Sequence, residues 1–199
     1  RLGLAAKFLA LADFNGDEVY ARVHTTLIPE NHPFVPVRNE YNAAVIHGDA
    51  VGDVMFYGKG AGAMPSASAV VSDVMYLARQ VAGGMAGRLP YVTFDGKRKL
   101  KIASPEKKVL RHYLRFSAAD RPGVMAAVTQ LISKHNISIS SVHQEDNTLT
   151  DSPVVKKFVP IVIVTHEATE GSVQTAMKES RRIRGLSRSP VHLRIESLG

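Results

Sequence analysis

The sequence predicts an α+β fold. A mixed or antiparallel sheet with covering helices comes first, and a second module of order strand, helix, strand, strand, helix, strand follows. Three observations carry this. Strand-like runs lie at 110–116, 137–144 and 161–166. Val124, Val128, Leu131 and Ile132 fall on one helical face between the first two runs. Apolar residues 63, 64, 67, 70, 71, 74, 75 and 78 keep the helical period over a longer stretch.

In chain order, residues 2–12 form an apolar element and 18–24 alternate as a strand does. Pro29, Pro33 and Pro36, with Asn31 and His32, mark a loop. The runs 42–47 and 53–57 flank Gly48 and Gly52 and read as paired strands. A glycine cluster, Gly58-Lys59-Gly60-Ala61-Gly62, leads into a helix over 63–82. Gly83, Gly84, Gly87, Pro90 and the basic stretch 97–108 then form a connection, with Ser104-Pro105 as a boundary. The expected division is residues 1–95, a linker at 96–109, and a second module at 110–199. In that module Asp120-Arg121-Pro122-Gly123 opens a helix that ends near His135. A second helix over 170–183 turns Val173, Ala176, Met177 and Ile183 inward, and 191–195 is the last strand.

Composition narrows the function. The chain has 199 residues, 45% hydrophobic, and no apolar run near the ~20 residues of a membrane span. No basic-then-apolar leader opens it. Cysteine is absent, which excludes disulfides, thiolate catalysis and cysteine-bound metals and fits a cytoplasmic setting. The chain starts at Arg1 inside an apolar element, so a piece of a longer protein, cut through a domain, is expected. Charge is uneven. Residues 1–100 carry ten Lys/Arg against nine Asp/Glu, and residues 101–199 fifteen against nine. The excess at 97–108 and at Arg181, Arg182, Arg184 and Arg188 fits a solvated linker and an exposed helix end. It lacks the interleaved aromatics of a nucleic-acid surface, so no nucleic-acid partner is expected.

The candidate chemistry is sparse. Gly58, Gly60 and Ala63 satisfy G-x-G-x-x-(G/A), but no acidic residue follows about twenty positions on and the flanking strands read as antiparallel, so this is not a Rossmann fingerprint. It is either a tight strand-to-helix connection or a backbone that approaches a ligand closely. Asp120 either caps its helix or binds an ammonium group. The eight histidines show no H-E-x-x-H and no close i, i+4 pair, so no metal site is expected. No G-x-S-x-G occurs, Asp49 and Asp53 sit near a turn, and no catalytic residue is assigned.

Two resemblances add to this. The strand–Pro-Gly turn–helix pattern from 110 onward resembles an ACT domain, a ferredoxin-like βαββαβ module that senses amino acids. Thr26–Pro33, Asn39–Ala44, Gly48–Gly52, Met55–Gly62 and Pro65–Asp73 resemble the C-terminal part of homoserine dehydrogenase, with Lys59 where that family usually has Pro. The first resemblance implies effector contacts at Asp120, Gly123 and Ser138, with threonine as the effector to test, or a dimerising role alone. The second implies an NAD(P)-dependent oxidoreductase that interconverts aspartate semialdehyde and homoserine in threonine and methionine biosynthesis. It gives Gly62 a cofactor contact and places Ser66 near substrate. The family's catalytic lysine, acidic substrate ligands and Rossmann domain fall outside the match, so these residues alone are expected to be inactive. A homo-oligomer is expected, and the alternative is a free-standing amino-acid sensor or dimerisation protein without catalysis.

Overall fold

The computed structural model describes residues 2–85, 87, 100–144, 158–187 and 189–198. The expected connection through Pro90 and 97–99, and Arg188, lie outside the described residues. Ten strands and three α-helices are described: β1 (Leu4–Asn15), β2 (Glu18–Pro29), β3 (Tyr41–Gly48), β4 (Gly52–Lys59), α1 (Ala63–Ala82), β5 (Lys101–Ile102), β6 (Val109–Ala118), α2 (Val124–Lys134), β7 (Ile139–Gln144), β8 (Val159–Thr165), β9 (Ala168–Thr169), α3 (Glu170–Ser180) and β10 (Val191–Ile195). Two compact units form, Arg1–Glu30 with Leu100–Leu198, and Asn31–Lys99. The α+β class and the βαββαβ module match the expectation.

The first unit is built on a sheet of order β1-β2-β10-β6-β8-β7. Its last four strands are antiparallel, and α2 and α3 supply the helical layer. Strict alternation explains β6: Leu110, His112, Leu114, Phe116 and Ala118 are buried, while 109, 111 and 115 are exposed. Val128, Ile132 and Val173, all fully buried, pack from the helices against Leu114, Phe116, Ile161 and Ile163. Full burial contributes about 1.5–3 kcal/mol for each such side chain. That outweighs the exposed ion pairs, worth about 0–1 kcal/mol each.

Two features of this sheet depart from the sequence reading. The apolar element read at 2–12 falls largely in strand β1, Leu4–Asn15, paired with β2 from Leu4↔Pro29 to Asn15↔Glu18, and Gly16 supplies the positive φ (+63°) of the two-residue turn. Alternation was masked because both faces of β1 are apolar: Leu9 and Leu11 are half-buried, but Phe8, next to Leu9 on the opposite face, is 74% exposed. Second, the β10 edge is occupied. β2 pairs with β10 in parallel at Arg194↔Thr26 and Ile195↔Leu27. The Glu196 N–H donates to Leu27 O at 2.9 Å and Thr26 Oγ1 donates to Arg194 O at 3.0 Å. Leu27, Val164 and Ile195, with Leu193 and Tyr113, form a small second cluster.

The β1–β2 ribbon is also tied by charge. Arg22, its side chain 8% exposed, pairs with Glu196 and at 2.9 Å with Asp13, and Lys108 reaches the same Asp13 carboxylate at 2.7 Å. Both cations lie over the Tyr20 ring, at 4.8 and 5.2 Å.

The second unit holds the antiparallel pair β3–β4, in register from Tyr41↔Lys59 to Gly48↔Gly52, and helix α1. Tyr41 and Tyr57 stack with centroids 5.1 Å apart and planes 6° from parallel. The bounds of α1 match the expected 63–82.

Partial burial raises the Asp13 carboxyl pKa, but Lys108 and Arg22 outweigh it and hold the group below its ordinary value. Its contribution is therefore full above about pH 4, the unfolded range, and fades as pH falls below it. Asp13→Asn is expected to cost under about 1 kcal/mol at pH 7, because the carboxylate is half exposed. Urea unfolding at pH 7 and pH 3 should show that difference shrinking in acid.

Candidate functional site

The glycine elbow between β4 and α1 is shaped by backbone. The Gly60 N–H donates to Glu40 O at 2.8 Å, which turns the chain out of the ladder. A Cβ built on Gly60 would lie 1.9 Å from Asn42 Nδ2 and 2.5 Å from its Cγ, so a side chain at 60 displaces Asn42. Gly62 caps α1 at φ +111°, ψ 153°, a conformation L-residues rarely adopt. Its carbonyl accepts from Ser66 N–H at 3.1 Å, the first helical bond. No side chain caps this end of α1 and no acid sits in its first turn, so its leading N–H groups keep the partial positive charge of a helix start. Ser66 is exposed one turn in. Lys59 pairs with Glu40 at 3.5 Å.

α1 buries none of its side chains within the chain. Met64 is 79% exposed, and Val70, Val71, Val74 and Leu77 are all more than half exposed. An apolar helix of this length is ordinarily a buried element. In β3 and β4, Ile46, Phe56 and Tyr57 are likewise exposed. The second unit thus presents an apolar surface beside the glycine elbow.

In the first unit, the expected effector residues are exposed. Gly123 is the residue that caps α2, at φ +89°, and Asp120 is not: no side chain makes that cap. The exposed Asp120 carboxylate is thus not committed to the cap. A Cβ at Gly123 would meet nothing within 4 Å, so its glycine serves conformation and leaves open space above the turn. The Ser138 carbonyl accepts from His166 N–H at 2.9 Å.

A third constellation was missed. His112 on β6, Glu170 at the first turn of α3 and His192 on β10 bring their ligand atoms within 4.8 Å of one another. His112 and Glu170 are fully buried. His112 Nε2 donates to Ala168 O at 3.2 Å, leaving Nδ1 to accept from His192 Nε2 at 2.9 Å. Arg194 grips Glu170 with two hydrogen bonds, Nε to Oε2 at 2.9 Å and Nη2 to Oε1, and Gln174 Nε2 donates to Oε1 at 2.9 Å. Burial pushes His112 below its ordinary pKa. Burial, with His112 and Arg194 nearby, takes His192 down to about 4. Burial acts to raise Glu170, but the Arg194 and Gln174 hydrogen bonds prevail and keep it ionised. Only Thr169, one residue before Glu170, bears a local signal: its hydroxyl caps α3 by accepting from Ser172 N–H at 3.3 Å.

Comparison with known proteins bears on these sites. A family model described as homoserine dehydrogenase matches residues 1–75, and the ACT domain model matches 112–183. The homoserine dehydrogenase of Synechocystis sp. is 36% identical over 99% of this chain and 45% of its own length. That of Pseudomonas aeruginosa is 34% identical, with the same coverage. The crystal structure of a homoserine dehydrogenase from Thiobacillus denitrificans superposes with a TM-score of 0.81 at 32% identity, covering 100% of this chain and 44% of that one. The chain thus spans less than half the length of the relatives it matches.

Glu170→Ala leaves the Arg194 guanidinium, 23% exposed, without its carboxylate. The expected cost is about 3 kcal/mol, the low end for breaking a buried pair. In urea unfolding, the Glu170→Ala/Arg194→Ala double substitution should cost clearly less than the sum of the two single ones.

Proposed function

Because this chain belongs to the homoserine dehydrogenase family over residues 1–75 and carries an ACT domain over 112–183, we propose that it supplies two parts of an NAD(P)-dependent enzyme. One is the wall beside the nicotinamide, and the other is a regulatory module. The reaction is the interconversion of L-aspartate 4-semialdehyde and L-homoserine, in the cytoplasm, on the route to threonine and methionine. The single observation that carries the reading is the elbow: Gly62 at φ +111° opens an uncapped helix, so backbone N–H groups reach a ligand that no side chain obstructs. Ser66, exposed in the first turn, stands near the substrate.

Hydride transfer requires a cofactor held against a carbonyl, and a cation or acid that stabilises oxygen as charge develops. The elbow supplies position and no acid–base pair. The catalytic groups and the dinucleotide fold therefore come from sequence these residues lack, and the 199 residues alone are inactive. The apolar surface of α1, β3 and β4 is the face that the rest of the enzyme and its homo-oligomer cover. Among the described residues no helix is long and apolar enough to cross a membrane.

Gly62→Val tests the elbow in a longer chain that joins these residues to the upstream half its relatives possess. The strained φ predicts about a tenfold or greater loss of kcat/KM for the cofactor. Unchanged turnover removes Gly62 from the site.

Asp120, Gly123 and Ser138 are the effector contacts of this reading, with threonine as the ligand. The exposed carboxylate suits an ammonium group, and the open turn at Gly123 admits a ligand backbone. Calorimetric titration of the 199-residue chain with threonine should release heat that Asp120→Ala abolishes. An absence of heat with every amino acid tried leaves the module a dimerising role only.

A further inference from the structure

The buried cluster on β6, α3 and β10 has a donor geometry that its hydrogen bonds do not exhaust. His112 Nε2 is committed to Ala168 O, which fixes the tautomer and leaves a lone pair on Nδ1. That lone pair faces His192 Nε2 at 2.9 Å and lies 4.0 Å from Glu170 Oε2. Each carboxylate oxygen has two acceptor sites. Oε1 receives Gln174 and Arg194, whereas among the described residues Oε2 receives Arg194 Nε alone. Among the described residues, the acceptor site of Glu170 still open thus belongs to the oxygen that approaches His112.

We propose that His112 Nδ1, His192 Nε2 and Glu170 Oε2 bind a divalent transition-metal ion of the zinc class. Two imidazoles and one carboxylate are a donor set that this class accepts in tetrahedral sites, where the fourth position goes to water. Such a site needs metal–ligand distances of about 2.0–2.2 Å, hence ligand atoms about 3.4 Å apart. The 2.9 Å pair opens and the 4.0 Å pair closes by about half an ångström each, and the remaining His192–Glu170 pair, within 4.8 Å, closes by up to about 1.4 Å, which rotation of the half-buried His192 ring supplies. On binding, His192 moves its proton from Nε2 to Nδ1, so no proton is released from the neutral ring. The surrounding contacts are those that orient metal ligands: His112 donates its other N–H to a backbone carbonyl, and Glu170 is held by Arg194. Burial keeps both rings uncharged, the form a metal requires. Arg194 places a positive charge beside the ion, so the ion exchanges readily and a chelator removes it. His192, only half-buried, is the side from which it enters.

The test uses the 199-residue chain, stripped with EDTA and titrated with Co2+ and then Zn2+. One equivalent of Co2+ should give the intense visible absorption of a four-coordinate ion, and Zn2+ should abolish it and raise Tm. His192→Gln should weaken binding at least tenfold while retaining the far-ultraviolet circular dichroism of the parent. His47→Gln, which breaks the exposed His47–Asp53 pair, should change nothing. A weak six-coordinate spectrum, or a band that survives His192→Gln in a folded protein, overturns the site and leaves a closed hydrogen-bonded network. Should His192→Gln not fold, the cobalt-loaded parent decides. Two strongly shifted imidazole N–H proton resonances, lost in D2O, are expected from His112 and His192, and their absence also overturns the site.

Discussion

β10 is the joint on which the first unit depends. It is only five residues long, yet it lies antiparallel to β6 and parallel to β2. Without it, among the described strands, β6, β8 and β7 under α2 and α3 and the ribbon β1–β2 share no ladder. Parallel pairing is slightly weaker per residue than antiparallel, and the register between β2 and β10 covers two residue pairs. Side chains make up the difference at that seam: Thr26 bonds across to the Arg194 carbonyl, Leu27 packs with Ile195, and Arg22 meets Glu196. Arg194 serves twice, since its backbone pairs with Thr26 and His112 while its guanidinium anchors the start of α3 through Glu170.

Much of the architecture was legible because local pattern and burial coincide. On β6 every second residue is buried, and on α2 Val124, Val128, Leu131 and Ile132 are the buried face, so period alone located both. β1 was illegible as a strand for the opposite reason. Phe8 and Leu9 point to opposite faces yet are both apolar, which erases the alternation. The capture of β10 by β2 was invisible too, because a two-pair parallel contact between residues 26–27 and 194–195 leaves no periodic trace in either segment.

The candidate sites divide along the same line. The elbow was legible since its residues are consecutive and its glycines meet specific needs: a positive φ at Gly62, and at Gly60 the space that Asn42 fills. The Asp120 turn was half legible. Pro122-Gly123 marked the helix start, but composition could not distinguish a capping aspartate from a free one, and the cap proved to be Gly123. The cluster of His112, Glu170 and His192 was not legible at all. Its members are distant in sequence, and only the ladder of β10 on β6 and the short β9 pairing ahead of α3 bring them together.

The bareness of α1 separates two kinds of sensitivity along the chain. At Val128 or Val173 a polar replacement strikes the fold directly, since those side chains have no solvent to turn to. At Val74 or Leu77 the same replacement removes no internal neighbour of any weight, and thermal denaturation of this polypeptide would scarcely register it. Selection for folding therefore cannot account for the oily character of that helix. Its residues answer to whatever docks there, and a deep mutational survey scored by stability alone would pass over them as silent.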